Sequence, residues 1–183
     1  MLSSLALDTS IPLAGLIEES IVDGPGLRFV IFTQGCKHKC KGCQNPQTHP
    51  LAGGTQYTLK KVLELYAENP LLSGITFSGG EPFLHAEPLS YLAHEIHNLG
   101  GDVISYTGYT FEDLLKIAKH DQGVVQLLEQ ADLLIDGPYI EELRDLDLLF
   151  RGSSNQRVLT HQDRAAIVKN LLEPTDPLYS LAL

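Results

Sequence analysis

Between Leu27 and Gln34 the chain runs almost without interruption through apolar side chains (Phe29, Val30, Ile31, Phe32). A run that short and continuous predicts a strand buried on both faces. Asp23-Gly24-Pro25-Gly26 ahead of it is a turn by composition, and residues 1–16 read as an extended, partly apolar lead-in. After a loop over residues 46–56, the apolar period changes. Leu59, Val62, Leu63 and Tyr66 recur at helical spacing behind Thr58 as N-cap, and Asn69-Pro70 stops that helix. Gly74 to Phe77 predicts a short strand. Leu89, Leu92, Ile96 and Leu99 mark one face of a second helix, stopped at Gly100-Gly101. Asp102 to Tyr106 predicts a third strand. Thr110 and Asp113 resemble a capping box opening a helix through Leu114, Leu115 and Ala118. Val124 to Glu129 predicts a further short helix and Ala131 to Ile135 a fourth strand. Beyond it, Glu141 to Asp147 is acidic and reads as helical. Val158-Leu159 and Ala165 to Val168 read as strands, and the last ten residues, with two prolines, read as a tail.

Strands alternating with helical patterns predict βαβ units and a parallel sheet, an α/β fold. One regularity carries further. Each strand from the first to the fourth runs into a Gly-containing polar loop at its C-terminal end. Parallel α/β sheets and barrels bind ligands at that edge. The loops beginning at Gly35, Ser78, Thr107 and Asp136 are therefore expected to face one shared site.

Composition narrows the function classes. The 183 residues carry a net charge of −10, with 43% hydrophobic and 20% charged residues. That length favours one domain, 1–183. An acidic chain is a poor generic binder of nucleic acid, which needs clustered Lys and Arg. The first basic residue is Arg28, so no basic secretory leader is expected. No apolar run approaches the about 18 residues of a membrane span. The expectation is a cytoplasmic protein with no membrane partner, in a reducing compartment where cysteines serve metal or redox roles.

All three cysteines fall in Gly35-Cys36-Lys37-His38-Lys39-Cys40-Lys41-Gly42-Cys43-Gln44-Asn45-Pro46. An odd, crowded set makes a poor disulfide framework. It suits a metal centre with one coordination position free: an iron–sulfur cluster held by Cys36, Cys40 and Cys43. The rival is zinc with His49 or His38 as fourth ligand, which would make the chain a zinc-stabilised, non-catalytic binding module.

The C-x(3)-C-x(2)-C spacing resembles the signature of radical S-adenosylmethionine enzymes. That resemblance implies a 4Fe-4S cluster whose open iron is chelated by S-adenosyl-L-methionine, and reductive cleavage of this cofactor to a 5′-deoxyadenosyl radical. It implies an incomplete, open (βα) barrel of about five or six parallel strands, smaller than a full eight-fold barrel. Ser78-Gly79-Gly80-Glu81-Pro82 resembles the family's Gly-Gly-Glu loop on the cofactor's methionine end, where glycines let the backbone approach closely. By the same resemblance the backbone at Gly42 and Gln44 touches the adenine, although the wider family often has an aromatic residue where Gly42 stands. Thr107 and Asp136 close two further strands and are candidate cofactor contacts.

The match narrows with Ile21 to Arg28, Tyr106-Thr107-Gly108-Tyr109, Asp136-Gly137-Pro138-Tyr139 and Leu149 to Arg157. Together these resemble the glycyl-radical-enzyme activases, and among them the activating proteins of anaerobic (class III) ribonucleoside-triphosphate reductase. The resemblance spans roughly residues 17–160; residues 1–16 and about 161–183 are terminal extensions outside it. It implies hydrogen abstraction from a glycine α-carbon of the reductase, with no general acid or base. An activase of another glycyl radical enzyme, of the pyruvate formate-lyase type, is the nearest alternative.

Several residues carry two readings. Lys37, Lys39 and Lys41 are a solvated loop face or a docking patch for an acidic electron donor such as flavodoxin or ferredoxin. His38 either hydrogen-bonds a cluster sulfur or tunes its potential, or faces solvent. Asp136 binds the cofactor or caps the following turn. Arg151, Asn155 and Arg157 form a structural loop or contact the cofactor or the partner. His94 and His97, and the acidic Glu141, Glu142, Asp145 and Asp147, read as surface.

Overall fold

The structure, a computed structural model, describes residues 4–182. A short helix α1 (Ser4–Leu7) leads into β1 (Ser10–Ser20), then β2 (Arg28–Thr33), β3 (Thr55–Thr58) and α2 (Leu59–Ala67). There follow β4 (Gly74–Gly79), α3 (Ala86–Asn98), β5 (Asp102–Tyr106), α4 (Phe111–Ala118), α5 (Gln122–Gln130), β6 (Leu133–Asp136), β7 (Arg157–Thr160) and α6 (His161–Leu171).

The strands form one seven-stranded sheet in the order β3-β1-β2-β4-β5-β6-β7. β2, β4, β5 and β6 pair parallel to one another. On one side β1 pairs antiparallel with β2, and β3 antiparallel with β1; on the other β7 pairs antiparallel with β6. The expected five or six parallel strands are thus corrected to four. The difference lies at the C-terminal end, where Val158-Leu159 belongs to the antiparallel β7 and Ala165 to Val168 is helix; the lead-in adds the long strand β1, which turns back to pair with β2.

Strand pleat divides the sheet into two faces. Phe29, Ile31, Ile75, Phe77, Val103 and Leu134 point to one face and pack against the helices in a single core. Burying each such side chain contributes about 1.5–3 kcal/mol. Helix ends are set by side chains named above. Thr58 accepts from Lys61 N at 3.1 Å. Thr110 accepts from Asp113 N at 3.2 Å, without the reciprocal bond of a full box. The full capping box is at Thr160 and Asp163. It opens α6, so Ala165 to Val168 is helix rather than strand, with Ala165 and Val168 turned into the core. The acidic stretch from Glu141 is a 3-10 turn only as far as Leu143 and then irregular. The expected tail instead folds back as a 3-10 turn, Pro177–Ala182, burying Leu178, Leu181 and Ala182.

The other face carries Val30, Thr76, Ile104 and Ile135, all buried. Arg28 sits at its base, fully buried. Its guanidinium donates to Thr76 Oγ1 at 3.2 Å and to the Ile75 and Asp102 carbonyls at 2.6 and 3.2 Å, and pairs with the Asp102 carboxylate. This plug closes the N-terminal end of the parallel strands. Their C-terminal ends stay open.

Candidate active site

β2 ends at Thr33, and the chain turns through Gly35 at φ 100°, a left-handed conformation that favours glycine, into the cysteine loop. Backbone bonds clamp the entry to that loop. Gly35 N donates to Thr48 O at 2.8 Å and Cys36 N to His49 O at 3.2 Å. The Gln34 amide reaches Pro50 O at 2.7 Å, and His85 Nε2 lies 2.8 Å from Gln34 O. Across the sheet, Gly80 N and Glu81 N donate to Thr33 O and Gly35 O, both at 2.8 Å. The ends of β2 and β4 are therefore stitched together at the base of the loop.

That stitching explains the two glycines. A Cβ on Gly79, itself at φ 97°, would stand 2.5 Å from Phe32 Cα, and one on Gly80 would stand 2.3 Å from Gly35 O. The residue type is dictated here by the neighbouring strand's backbone, before any ligand is considered.

A cavity of about 470 Å³ opens over these strand ends. Its wall brings together Cys36, Cys40 and Cys43 with Gln44, with Ser78, Gly79 and Gly80 from the end of β4, and with Thr107 from the end of β5. The three thiols are free and half-buried. Burial pushes the Cys36 and Cys40 thiols upward, and the neighbouring thiol of each adds to the shift. Asn45 N donates to Cys43 Sγ at 3.4 Å. Gly42 stands outside the cavity wall against Glu141, where a Cβ would meet Oε1 at 2.8 Å.

Glu81 is behind the wall, fully buried. Its carboxylate accepts from Phe83 N at 3.0 Å, Gly108 N at 2.9 Å, Thr107 Oγ1 at 3.0 and 3.1 Å, and His38 Nε2 at 2.7 Å. His38 also meets Tyr109 edge-on, with ring centroids 4.4 Å apart. One carboxylate thus joins the cysteine loop, the Gly-Gly-Glu loop and the β5 loop. The Lys face is divided: Lys41 pairs with Glu141 at 2.9 Å and Glu142 at 3.5 Å, while Lys37 and Lys39 are exposed.

The segment after β6 splits in the same way. Asp136 is buried and turned away from the cavity. It accepts from Phe111 N at 2.7 Å and from Arg157 Nε at 2.9 Å, and pairs again with the Arg157 Nη2. Arg157 also reaches Glu112 at 2.6 Å, which holds the Glu112 carboxyl below the usual carboxylate range. Asn155 donates to Pro138 O at 2.8 Å. Gln156 braces the loop, accepting from Gly152 N at 2.9 Å and donating to Gly137 O at 3.0 Å. Of the three residues singled out here, only Arg151 reaches the cavity wall.

Sequence reading missed Asp23, Tyr106, Tyr139, Leu148 and Phe150, which also line the cavity. Asp23 lay in a stretch read as a turn and as part of the activase resemblance, with no site role given to it. Tyr106 was the last residue of a strand, so the pleat could have flagged it: it shares a face with Ile104, away from the helices. Burial pushes its phenol well above the usual range.

The donor set fits an iron–sulfur cluster. Such a cluster takes each thiolate on a different iron, so its cysteines face a common cavity without converging on one point. A single zinc ion needs its ligands to converge at about 2.0–2.3 Å. Among the described residues no three His, Cys, Asp or Glu side chains do so, and His38 is engaged by Glu81.

Residues 22–159 match a family model described as a 4Fe-4S single cluster domain. That defines the class: a protein built around one 4Fe-4S cluster. The anaerobic ribonucleoside-triphosphate reductase-activating protein of Vibrio cholerae is 35% identical over 145 residues, 74% of this chain and 89% of the relative. That of Enterobacteria phage T4 is 34% identical over 148 residues, 78% and 89% of the two chains. The chain belongs to this family of reductase-activating proteins. The crystal structure of QueE from Escherichia coli is similar over 60% of this chain and 58% of its own, with a TM-score of 0.46 and 18% identity.

Proposed function

We propose that this chain is a radical S-adenosylmethionine activating enzyme that generates a glycyl radical on an anaerobic ribonucleoside-triphosphate reductase. One observation carries the reading: three free cysteines and the Gly79-Gly80 backbone line one cavity at the C-terminal ends of the parallel strands. Cys36, Cys40 and Cys43 would hold the cluster, and Ser78, Gly79, Gly80, Gln44 and Thr107 would line the cofactor. When bound, the reduced cluster and S-adenosylmethionine supply the one-electron chemistry that removes a hydrogen atom from a glycine α-carbon. The chain's own residues position and shield. Glu81 and His38 fix the three loops relative to one another, and Tyr106, Tyr139, Leu148 and Phe150 line the cavity with rings and apolar surface. Positioning and exclusion of water are what a reaction without proton transfer needs from its protein. The four parallel strands, plugged by Arg28, form the wall of an incomplete, open barrel. Lys37 and Lys39 remain as the docking face for an acidic electron donor such as flavodoxin or ferredoxin. Among the described residues no helix is long and apolar enough to cross a membrane. A reductase as substrate supports a cytoplasmic location for the chain.

The test is anaerobic reconstitution with iron and sulfide, then reduction and mixing with S-adenosylmethionine and the reductase. A brown protein that yields a glycyl-radical EPR signal on the reductase is expected. A colourless protein that binds zinc and gives no such signal would end this reading.

A further inference from the structure

Among the described residues, two buried side-chain polar atoms lack a hydrogen-bond partner: Arg151 Nε and Asn155 Oδ1. Both lie in the segment after β6. Asn155 is behind the cavity wall, whereas Arg151 is in it. Arg151 is also the one Lys or Arg side chain among the lining residues. A guanidinium carries five N–H donors in a planar fork. Here one bond is formed, from Nη1 to Gln156 O at 3.2 Å. Arg157, on the neighbouring strand, is the contrast, since it is paired with two carboxylates. Nη2 makes no bond and, unlike Nε, is not buried, so the guanidinium of this wall residue keeps an accessible donor for a ligand.

We propose that Arg151 binds the protein substrate. Its unbonded Nη2 donates to a backbone carbonyl of the glycine-bearing segment that enters the cavity. The inference rests on the function proposed above and names a specificity-determining contact within it.

Position favours the protein over the cofactor's carboxylate. Gly79 and Gly80 end β4, and the end of β6 stands two strand spacings away, about 10 Å. Arg151 lies beyond β6, on the segment where Leu148 and Phe150 line the cavity and Leu149 is 74% exposed. Val22 also lines the cavity and is 72% exposed. Exposed apolar side chains therefore border the route by which a second chain would enter. Chemistry agrees. A glycine offers no side chain to recognise, only its peptide groups, and a planar donor fork suits a fixed acceptor. Phe150 is held at φ 61°, a conformation that bulky residues rarely adopt. Strain of that kind is retained where it directs a functional neighbour.

The test compares the wild-type chain with Arg151→Gln and Arg151→Lys, each carrying a reconstituted cluster. Reductase is titrated against each, and the glycyl-radical EPR signal gives KM. Equilibrium binding gives the S-adenosylmethionine dissociation constant, and circular dichroism checks the fold. The expected result is a KM raised tenfold or more in R151Q, and nearly as far in R151K, with the cofactor constant moving less than twofold. A cofactor constant raised tenfold with KM unmoved assigns Arg151 to the cofactor and overturns the proposal. So does a KM within twofold of wild type. Should both variants misfold, a photoreactive side chain at position 149 decides. Cross-linking to the reductase's glycine segment supports the contact, and cross-linking only elsewhere on the reductase refutes it. A wild-type chain that makes no glycyl radical defeats the parent reading, whereas a wild-type chain that does, beside an indifferent R151Q, defeats this one alone.

Discussion

Substituting Glu81→Gln tests whether a single carboxylate holds the three loops of the site together. The amide has the same shape but turns one acceptor into a donor. Placed at Oε2, the new NH₂ faces Gly108 N–H, and placed at Oε1 it faces Phe83 N–H. The Thr107 hydroxyl can rotate and accept, and His38 can change tautomer, but a backbone N–H can do neither. Either orientation therefore strands one buried backbone donor, at about 1–3 kcal/mol. The surviving bonds also lose their charge assistance, about 1 kcal/mol more. The sum is about 3 kcal/mol, or a melting temperature lower by about 6–12 °C for a chain of this size. Urea unfolding of the cluster-free protein, followed by circular dichroism, measures the loss directly. A loss below about 1 kcal/mol, with an unchanged slope, would refute the claim that these donors depend on the carboxylate.

Acid sensitivity offers a second test. Arg157 donates to Glu112 and lowers its folded pKa, so the folded chain binds that proton less tightly than the unfolded one. Stability from the pair is complete above the ordinary Glu range, about pH 4.3, and is lost as pH falls below it. Urea midpoints of wild type and Glu112→Gln should converge on acidification; a gap as wide at pH 3 as at pH 7, taking those values as about the two limits, contradicts the assignment. The double variant Lys37→Glu, Lys39→Glu should slow reduction by an acidic protein donor roughly tenfold at low salt, and much less at high salt. A variant reduced by the protein donor as fast as wild type, or slowed equally with dithionite, would remove the docking face.

The parallel strands were legible because each is a short apolar run closed by glycine, a pattern that burial on both faces imposes. The helices of residues 59–67, 86–98 and 111–118 were legible from apolar spacing and from Thr58 and Thr110 as caps. β1 was legible only as an extended lead-in, because its alternation is confined to Ile11 and Leu13 and is lost over the exposed Ile17, Glu18 and Glu19. Ala165 to Val168 misled because a short apolar run has no period of its own. Thr160 and Asp163, ahead of it, carried the better signal. In the site, local spacing exposed the cysteines and the glycine loop. The work done by Asp136 and Arg157 was hidden, since it depends on Glu112 and Phe111, which only the folded chain brings near.

The Glu81 junction also sets an order of events in the cell. Its donors come from residues 38, 83, 107 and 108. A ribosome delivers Cys36, Cys40 and Cys43 long before it delivers Thr107 and Gly108. Until then the cysteine loop has only its local clamps to Thr48 and His49 and its link to the end of β4. The Glu81 lock on the cysteine loop is therefore complete only after translation has passed the third strand of the parallel set.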